Sequence, residues 1–311
     1  MRAISWMLAA ASAVLLTASG SCNDGTQTRG PGRVQTLPGL PRPGPLPPPP
    51  QRALPSRGAD FAVSGELTQG GWVVGLAPLG ARSLSFNGEA LAFDRDGRFF
   101  AAFDRDAGPS ATLSARLDSG RSVTRSLAVT PRAWNIEHIP LGPRPGTPPS
   151  ESYKRIRAGE LAQINAARAI DSDSEGWRQN FIWPARGRLS GRFGSQRIYN
   201  GTPGGYHSGN DIATGTSGTP YVAPADGVVI LAAERPFTLE GYLLMIDHGT
   251  GLNSAFLHSS RLAVRVGEQV KQGQVIGYIG ATGRATGPHL HWSLKWRNSR
   301  LDSLLFTGPM R

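Results

Sequence analysis

GRATGPHLHWSL, residues 283–294, alternates with a period of two. Leu290, Trp292 and Leu294 fall on one side of an extended chain, and His289, His291 and Ser293 fall on the other. This pattern marks a strand with one face in a core, which makes this part of the chain β. The opposite face opens with two imidazoles, where a strand ordinarily carries Thr, Lys or Glu. Two of the chain's six histidines therefore sit on adjacent sites of one strand face.

The surrounding sequence has the same texture. After Trp183-Pro184 the chain is rich in glycine and in short apolar runs: GVVILAAE (227–234), YLLMIDHG (242–249), LNSAFLHSS (252–260), QVIGYIG (274–280) and HLHWSLKW (289–296). Glycines punctuate nearly every gap and no long helical pattern interrupts them, which predicts an all-β domain whose hairpins fold into two facing sheets. Five of the six histidines lie here. YHSGND supplies His207 and Asp211, AFLHSS places His258 at a strand end on the same face as Ser254 and Phe256, and IDHG puts His248 before a turn. Taken singly, each is more often a solvated or structural histidine than a functional one.

Together they describe a metal site. Zinc takes neutral imidazole nitrogen and carboxylate oxygen, and a catalytic site keeps three protein ligands and one open position. His207, Asp211 and one of His289 and His291 supply that set. The remaining imidazoles suit the proton transfer and oxyanion stabilisation that hydrolysis requires. A closed structural site would have no use for them.

HSGND, FLHSS and GPHLHWSL, in that order, resemble the H-x-x-x-D, L-x-H and H-x-H motifs of the lysostaphin/LytM-type zinc endopeptidases. The resemblance covers about 181–296. It implies a duplicated-hybrid-motif β fold and cleavage of peptidoglycan cross-bridge or stem peptides. It also implies one zinc ion on His207, Asp211 and His291, with His258 and His289 as the catalytic pair. Which of that pair is the base stays open. His248 matches a position outside the catalytic set and is read as structural. Many relatives carry an acidic residue where this chain has Ser293, a departure expected to leave metal binding unaffected.

Two other classes compete with this reading. A non-catalytic wall-binding or amidase-activating protein on the same fold typically lacks ligands, whereas this chain keeps all five positions. VGEQVKQGQVIG (266–277) resembles the hairpins of lipoyl and biotinyl carriers, with Lys271 as the modified residue. That reading leaves the histidines without a role.

The chain has 311 residues and a net charge of +11, which suits an anionic partner such as a membrane surface or an acidic wall polymer; nucleic acid is not expected. Arg2, the apolar run 4–16 and the small residues TASGSC read as an export signal over 1–21. Cys22, the one cysteine, leaves lipidation open, although Ser19 stands where lipoprotein signals usually carry an aliphatic residue. An uncleaved signal would be the other membrane attachment. Residues 22–58 read as a Pro-rich spacer. Residues 59–135 read as a small β-sandwich, immunoglobulin-like, with turns at Asn87-Gly88, Asp96-Gly97 and Ser119-Gly120. Asp94-Arg95-Asp96-Gly97 lacks the further ligands of a calcium loop and reads as a turn. Residues 136–180 read as a second spacer plus a helix capped by Ser150, with Tyr153, Ile156, Leu161, Ile164, Ala167 and Ile170 along its apolar side. The peptidase domain then covers 181–305. The expected product is an exported monomer of the periplasm or cell envelope. In a Gram-negative periplasm its substrate would be the D-alanyl–diaminopimelate cross-link.

Overall fold

A computed structural model describes residues 50–52, 56–140 and 150–310. The expected export signal, Cys22 and most of the first spacer lie outside the described residues, as do positions 141–149 of the second. The described part is mainly β, 43% strand, with two α-helices.

The first β region contains two sheets. A three-stranded sheet joins Ala62–Glu66, Trp72–Leu76 and Arg98–Ala102, and a four-stranded sheet joins Glu89–Leu91, Ala81–Phe86, Ser110–Leu117 and Ser122–Ala128. Their inner faces bury Val73, Phe99, Leu84, Leu113 and Leu127. Asn87 and Gly88 both take positive φ, 50° and 85°, in the two-residue turn between Ala81–Phe86 and Glu89–Leu91, as a right-twisted hairpin requires. Asp94 closes its own turn by accepting from the backbone N–H groups of Asp96 (2.8 Å) and Arg98 (2.9 Å). Its other oxygen pairs with Arg178 at 2.6 Å, so the carboxylate is spent on structure.

The second region is built on an eight-stranded sheet that runs Gln269–Val270, Gly227–Ala232, Tyr242–Asp247, Leu252–Ser259, Leu290–Trp296, Asn210–Ala213 and Arg188–Gly191, with Ser299–Leu301 paired beside Leu290–Trp296. A three-stranded sheet of Pro220–Val222, Val275–Tyr278 and Arg261–Leu262 accompanies it, and Tyr221 stacks on Phe256 at 5.4 Å between ring centroids. Leu290, Trp292 and Leu294 are fully buried, as their alternation predicts. His248 is fully buried as well, within a hydrogen-bond chain. The Trp292 indole N–H donates to Ser254 Oγ (3.3 Å), Ser254 donates to His248 Nε2 (2.7 Å), and His248 Nδ1–H donates to the Asp226 carbonyl (2.8 Å). Burial pushes the His248 pKa down to about 4, so the ring sits neutral in its chain.

Helix Glu151–Arg168 begins as expected, with Ser150 Oγ accepting from the Tyr153 N–H at 3.1 Å. Its buried side differs from the apolar stripe. Ile164 and Ala167 pack against Ile230, Leu243 and Met245, but Ile156, Leu161 and Ile170 are exposed and Glu160 is buried in their stead. The reason is polar. Glu160 accepts from the N–H and hydroxyl of Thr238, each at 2.6 Å, and from Arg157 at 3.0 Å, while Arg157 forks onto both oxygens of Glu240 at 2.6 and 2.7 Å. The helix thus grips the loop before Tyr242–Asp247 through charge as much as through apolar contact.

Candidate active site

The strand Leu290–Trp296 lies at the centre of the site. Its neighbour Asn210–Ala213 is antiparallel, with Asp211 directly opposite His291 and Ile212 opposite Leu290. Facing residues of such a pair share a sheet face, so the alternation that buries Ile212 and Leu290 sends Asp211 and His291 out together. His207 arrives from the preceding loop, held by its N–H to Ser195 O (2.8 Å) and its carbonyl to the Gly194 N–H (2.9 Å). The three side chains meet. One oxygen of Asp211, Oδ1, lies 2.8 Å from His291 Nδ1 and 3.2 Å from His207 Nε2, and the three donor atoms all lie within 4.8 Å of one another.

This donor set fits a metal ion on three counts. Ligand atoms about 2.1 Å from a tetrahedral ion stand roughly 3.4 Å apart, close to the separations seen here. His207 Nδ1 faces the Arg192 carbonyl at 3.2 Å and must donate to it, so in the neutral ring Nε2 turns a lone pair toward Asp211 Oδ1. Two acceptors facing each other need a cation between them. The third count is glycine. A Cβ at Gly191 would lie 2.9 Å from Asp211 Cγ and 3.0 Å from His207 Cε1, and one at Gly209 would lie 2.7 Å from His291 Nε2. A side chain at Gly191 would intrude on the cradle, whereas one at Gly209 would meet the Trp292 backbone carbonyl and the Nε2 edge of the His291 ring.

A proton can also serve as the cation between His207 and Asp211, and the same contacts govern the titration of these groups. Burial alone would raise the Asp211 pKa, but hydrogen bonds from His207 and His291 outweigh it and hold the carboxyl well below its usual range. Burial likewise pulls His207 down, and Asp211 with the Arg192 carbonyl outweighs it, leaving the ring above its ordinary value. His291 ends lowered, chiefly by burial.

His258 and His289 stand beside this set with ring centroids 4.8 Å apart. Each turns Nδ1–H onto a carbonyl, Thr282 O for His258 (2.9 Å) and Gly287 O for His289 (2.8 Å), which frees Nε2 toward the groove. His289 Nε2 is 3.8 Å from Asp211 Oδ1. Burial, reinforced by His289 and His291, pushes the His258 pKa down to about 4 and keeps it an acceptor at neutral pH.

The sequence expectation that His258 shares the face of Phe256 needs correcting. Phe256 pairs with Trp292 in the core, so plain alternation would send His258 inward too. Instead the pairing with Tyr242–Asp247 shifts register between Tyr242 and Leu244, and His258 adopts φ 65°. A bulge with one left-handed residue re-aims a side chain, and here it turns His258 into the groove. Its N–H donates to Glu240 O at 2.8 Å, in the loop that the helix grips. Sequence reasoning missed Glu240, Thr282, Gly191 and Gly209 as supports of the site; they contribute backbone carbonyls or the lack of a side chain, which leave no spacing signal.

Comparison with known proteins matches residues 205–303 to the family described as Peptidase family M23. A peptidoglycan DD-endopeptidase, ShyA of Vibrio cholerae, is 35% identical over 133 residues, 42% of this chain and 30% of the relative. The cell division protein DipM of Caulobacter vibrioides is 32% identical over 215 residues, 66% of this chain and 32% of the relative. The chain thus spans about a third of the length of these curated relatives. A solved structure from Pseudomonas aeruginosa designated peptidase M23 superposes with a TM-score of 0.58 at 28% identity, covering 79% of this chain and 96% of that one.

Proposed function

We propose, from the match of residues 205–303 to Peptidase family M23, that the chain is a zinc-dependent endopeptidase hydrolysing peptide cross-links or stem peptides of bacterial peptidoglycan. The observation that carries this reading is the convergence of His207, Asp211 and His291 beside two further imidazoles that turn Nδ1 onto backbone carbonyls and Nε2 toward the groove. In the proposed mechanism His207 Nε2, Asp211 Oδ1 and His291 Nδ1 hold the ion. Zinc supplies Lewis-acid chemistry there, acidifying water and polarising the scissile carbonyl.

The chain's own residues do the rest. His258 and His289 each present Nε2 to the groove, so the ring whose Nε2 carries a lone pair accepts the proton of the attacking water. Once protonated it returns that proton to the leaving amine. The other can donate to the oxyanion of the tetrahedral carbonyl only as an imidazolium, with a proton on Nε2 as well as on Nδ1. Their fixed Nδ1–H bonds to Thr282 O and Gly287 O hold both rings in the required tautomer. Paired strands hold Asp211 and His291, while His207 comes from a loop, His258 from a bulged strand end and His289 from the residue before the buried strand.

The proposal extends to the setting. Relatives named as peptidoglycan endopeptidases support a wall substrate, and the sequence of residues 1–22 supports export to the periplasm or cell envelope. No helix among the described residues is long and apolar enough to cross a membrane. The test is mass analysis of muropeptides after purified sacculi meet the zinc-loaded chain or its His291→Ala variant. Loss of cross-linked dimers with the unaltered chain alone is expected; identical profiles would remove the hydrolase reading.

A further inference from the structure

The alternation that aims His289 and His291 continues past them. Beyond Trp292 and Leu294, which stay buried, Ser293 and Lys295 leave the strand on the same face as His291. Lys295 is four residues beyond His291, about 13 Å along an extended strand. It lies directly opposite Arg300 in the pairing with Ser299–Leu301. Like charges in directly opposite positions repel, so this pair costs stability as it stands.

A cavity of about 210 Å³ joins these residues to the active site. Ser208 and His291 line it together with Arg168, Lys295 and Arg300, and so does the ion pair of Arg157 with Glu240. Arg168 comes from the last turn of helix Glu151–Arg168, and its Nε is buried without a hydrogen-bond partner. Among the described residues neither Arg168 nor Lys295 has an acidic group within ion-pair distance. The nearby carboxylates are engaged elsewhere: Glu160 and Glu240 hold Arg157, and Asp104 accepts from the backbone N–H of Arg300 at 2.8 Å. Burial, then Arg168 and Arg300, push the Lys295 pKa below its ordinary value, against a smaller opposing pull from the Asp104 carboxylate. Half-buried cations without partners are costly, and an anion in the cavity would offset that cost. The volume is below the roughly 300 Å³ of a small-molecule site, so it suits the end of one side chain or one chain terminus.

We propose that Arg168, Lys295 and Arg300 form a carboxylate-binding subsite that grips an acidic group of the substrate peptide about four residues along the groove from the scissile bond. This rests on the reading of the chain as a peptidoglycan peptidase, whose stem-peptide substrates carry free carboxylates. Guanidinium and ammonium together hold a carboxylate by charge-assisted hydrogen bonds. The subsite would also fix the register of the peptide across the catalytic histidines.

The test uses the full chain and a soluble tetrapeptide dimer with a D-alanyl–diaminopimelate cross-link, prepared with its carboxylates free and with them amidated. Binding is measured by calorimetry on the His258→Ala variant, which should not turn the peptide over, and hydrolysis is measured on the unaltered chain. Amidation should weaken binding at least 10-fold. Adding Lys295→Met to the binding protein should weaken the free peptide to a similar degree and leave the amidated peptide almost unaffected. Equal affinity for the two peptides, or an equal loss on both when Lys295 is replaced, overturns the subsite. Absence of hydrolysis by the unaltered chain, with the binding difference intact, instead removes the peptidase reading and leaves the anion site standing.

Discussion

Replacing Gly191 with alanine isolates the candidate metal cradle from the fold around it. The Gly191 backbone lies outside the positive-φ region, so alanine is conformationally acceptable. The added methyl would lie 2.9 Å from Asp211 Cγ and 3.0 Å from His207 Cε1, and closer still to Asp211 Oδ2, with no backbone atom among its nearest neighbours. Restoring ordinary carbon contact requires the carboxylate to retreat by roughly 0.5 Å or more. Metal–ligand distances tolerate about 0.2 Å. The methyl therefore acts on two of the three candidate ligands and little else. Disturbing the outer partners of a ligand already costs 10- to 100-fold in metal affinity. Displacing a ligand belongs at the top of that range, about 100-fold or 2.7 kcal/mol. Competition with a chromogenic chelator reads the zinc dissociation constant, and melting of the metal-free chain reads the fold. Gly205→Ala is the control, because nothing lies within 4 Å of its added Cβ. Unchanged zinc affinity in Gly191→Ala, or a loss matched by the control, would refute the assignment of Asp211 and His207 as ligands.

His258→Ala should leave zinc affinity within a few-fold of the unaltered chain while muropeptide release falls by ~10²-fold or more, separating proton transfer from metal binding. Glu160→Gln removes a charged acceptor from Thr238 and Arg157 inside a buried contact. It should cost about 1–3 kcal/mol and lower the melting temperature by several degrees, read by calorimetry. His248 titrates near 6.5 unfolded and about 4 folded, so only the unfolded chain takes up that proton between those values. Its contribution is complete above pH 6.5 and is lost as pH falls toward 4, reaching about 3 kcal/mol. Urea unfolding of the metal-free chain and of His248→Gln at several pH values across that window should show a shallower acid dependence in the variant; parallel curves would contradict the buried neutral ring.

The site was legible in the sequence where its geometry follows strand periodicity. His289 and His291 lie two apart on a strand whose other residues are strongly apolar, and Asp211 meets His291 because hydrophobic Ile212 and Leu290 fix the register beside them. His258 was found by its motif but assigned the wrong face, because a bulge is a local backbone event that hydrophobic alternation does not record. The helix was legible by its cap and length, but not by its contact side. Periodicity counts apolar residues, whereas Glu160 binds through hydrogen bonds from Thr238 and Arg157 through an ion pair to Glu240, both far along the chain. The cation-lined cavity was hidden for a related reason: no spacing in the sequence marks Lys295 and Arg300 as neighbours before pairing sets them opposite each other.

The strand that carries His291 ends on Trp296, and Trp296 is not held by its own sheet alone. Its ring meets Phe86 at 6.0 Å and Phe100 at 6.1 Å, both from the first β region, while Trp72 packs against Phe306 at 5.6 Å. The Trp72 indole N–H donates to Leu305 O at 3.0 Å, and Arg132 pairs with buried Asp302 at 2.8 Å. The region that carries the candidate site is therefore not a detachable cassette. Cutting the chain between its two β regions would bare a cluster of aromatic rings at the far end of the strand that aims the histidines. A protein engineer transplanting this activity would need to carry the neighbouring region along or rebuild the exposed aromatic seam with polar residues.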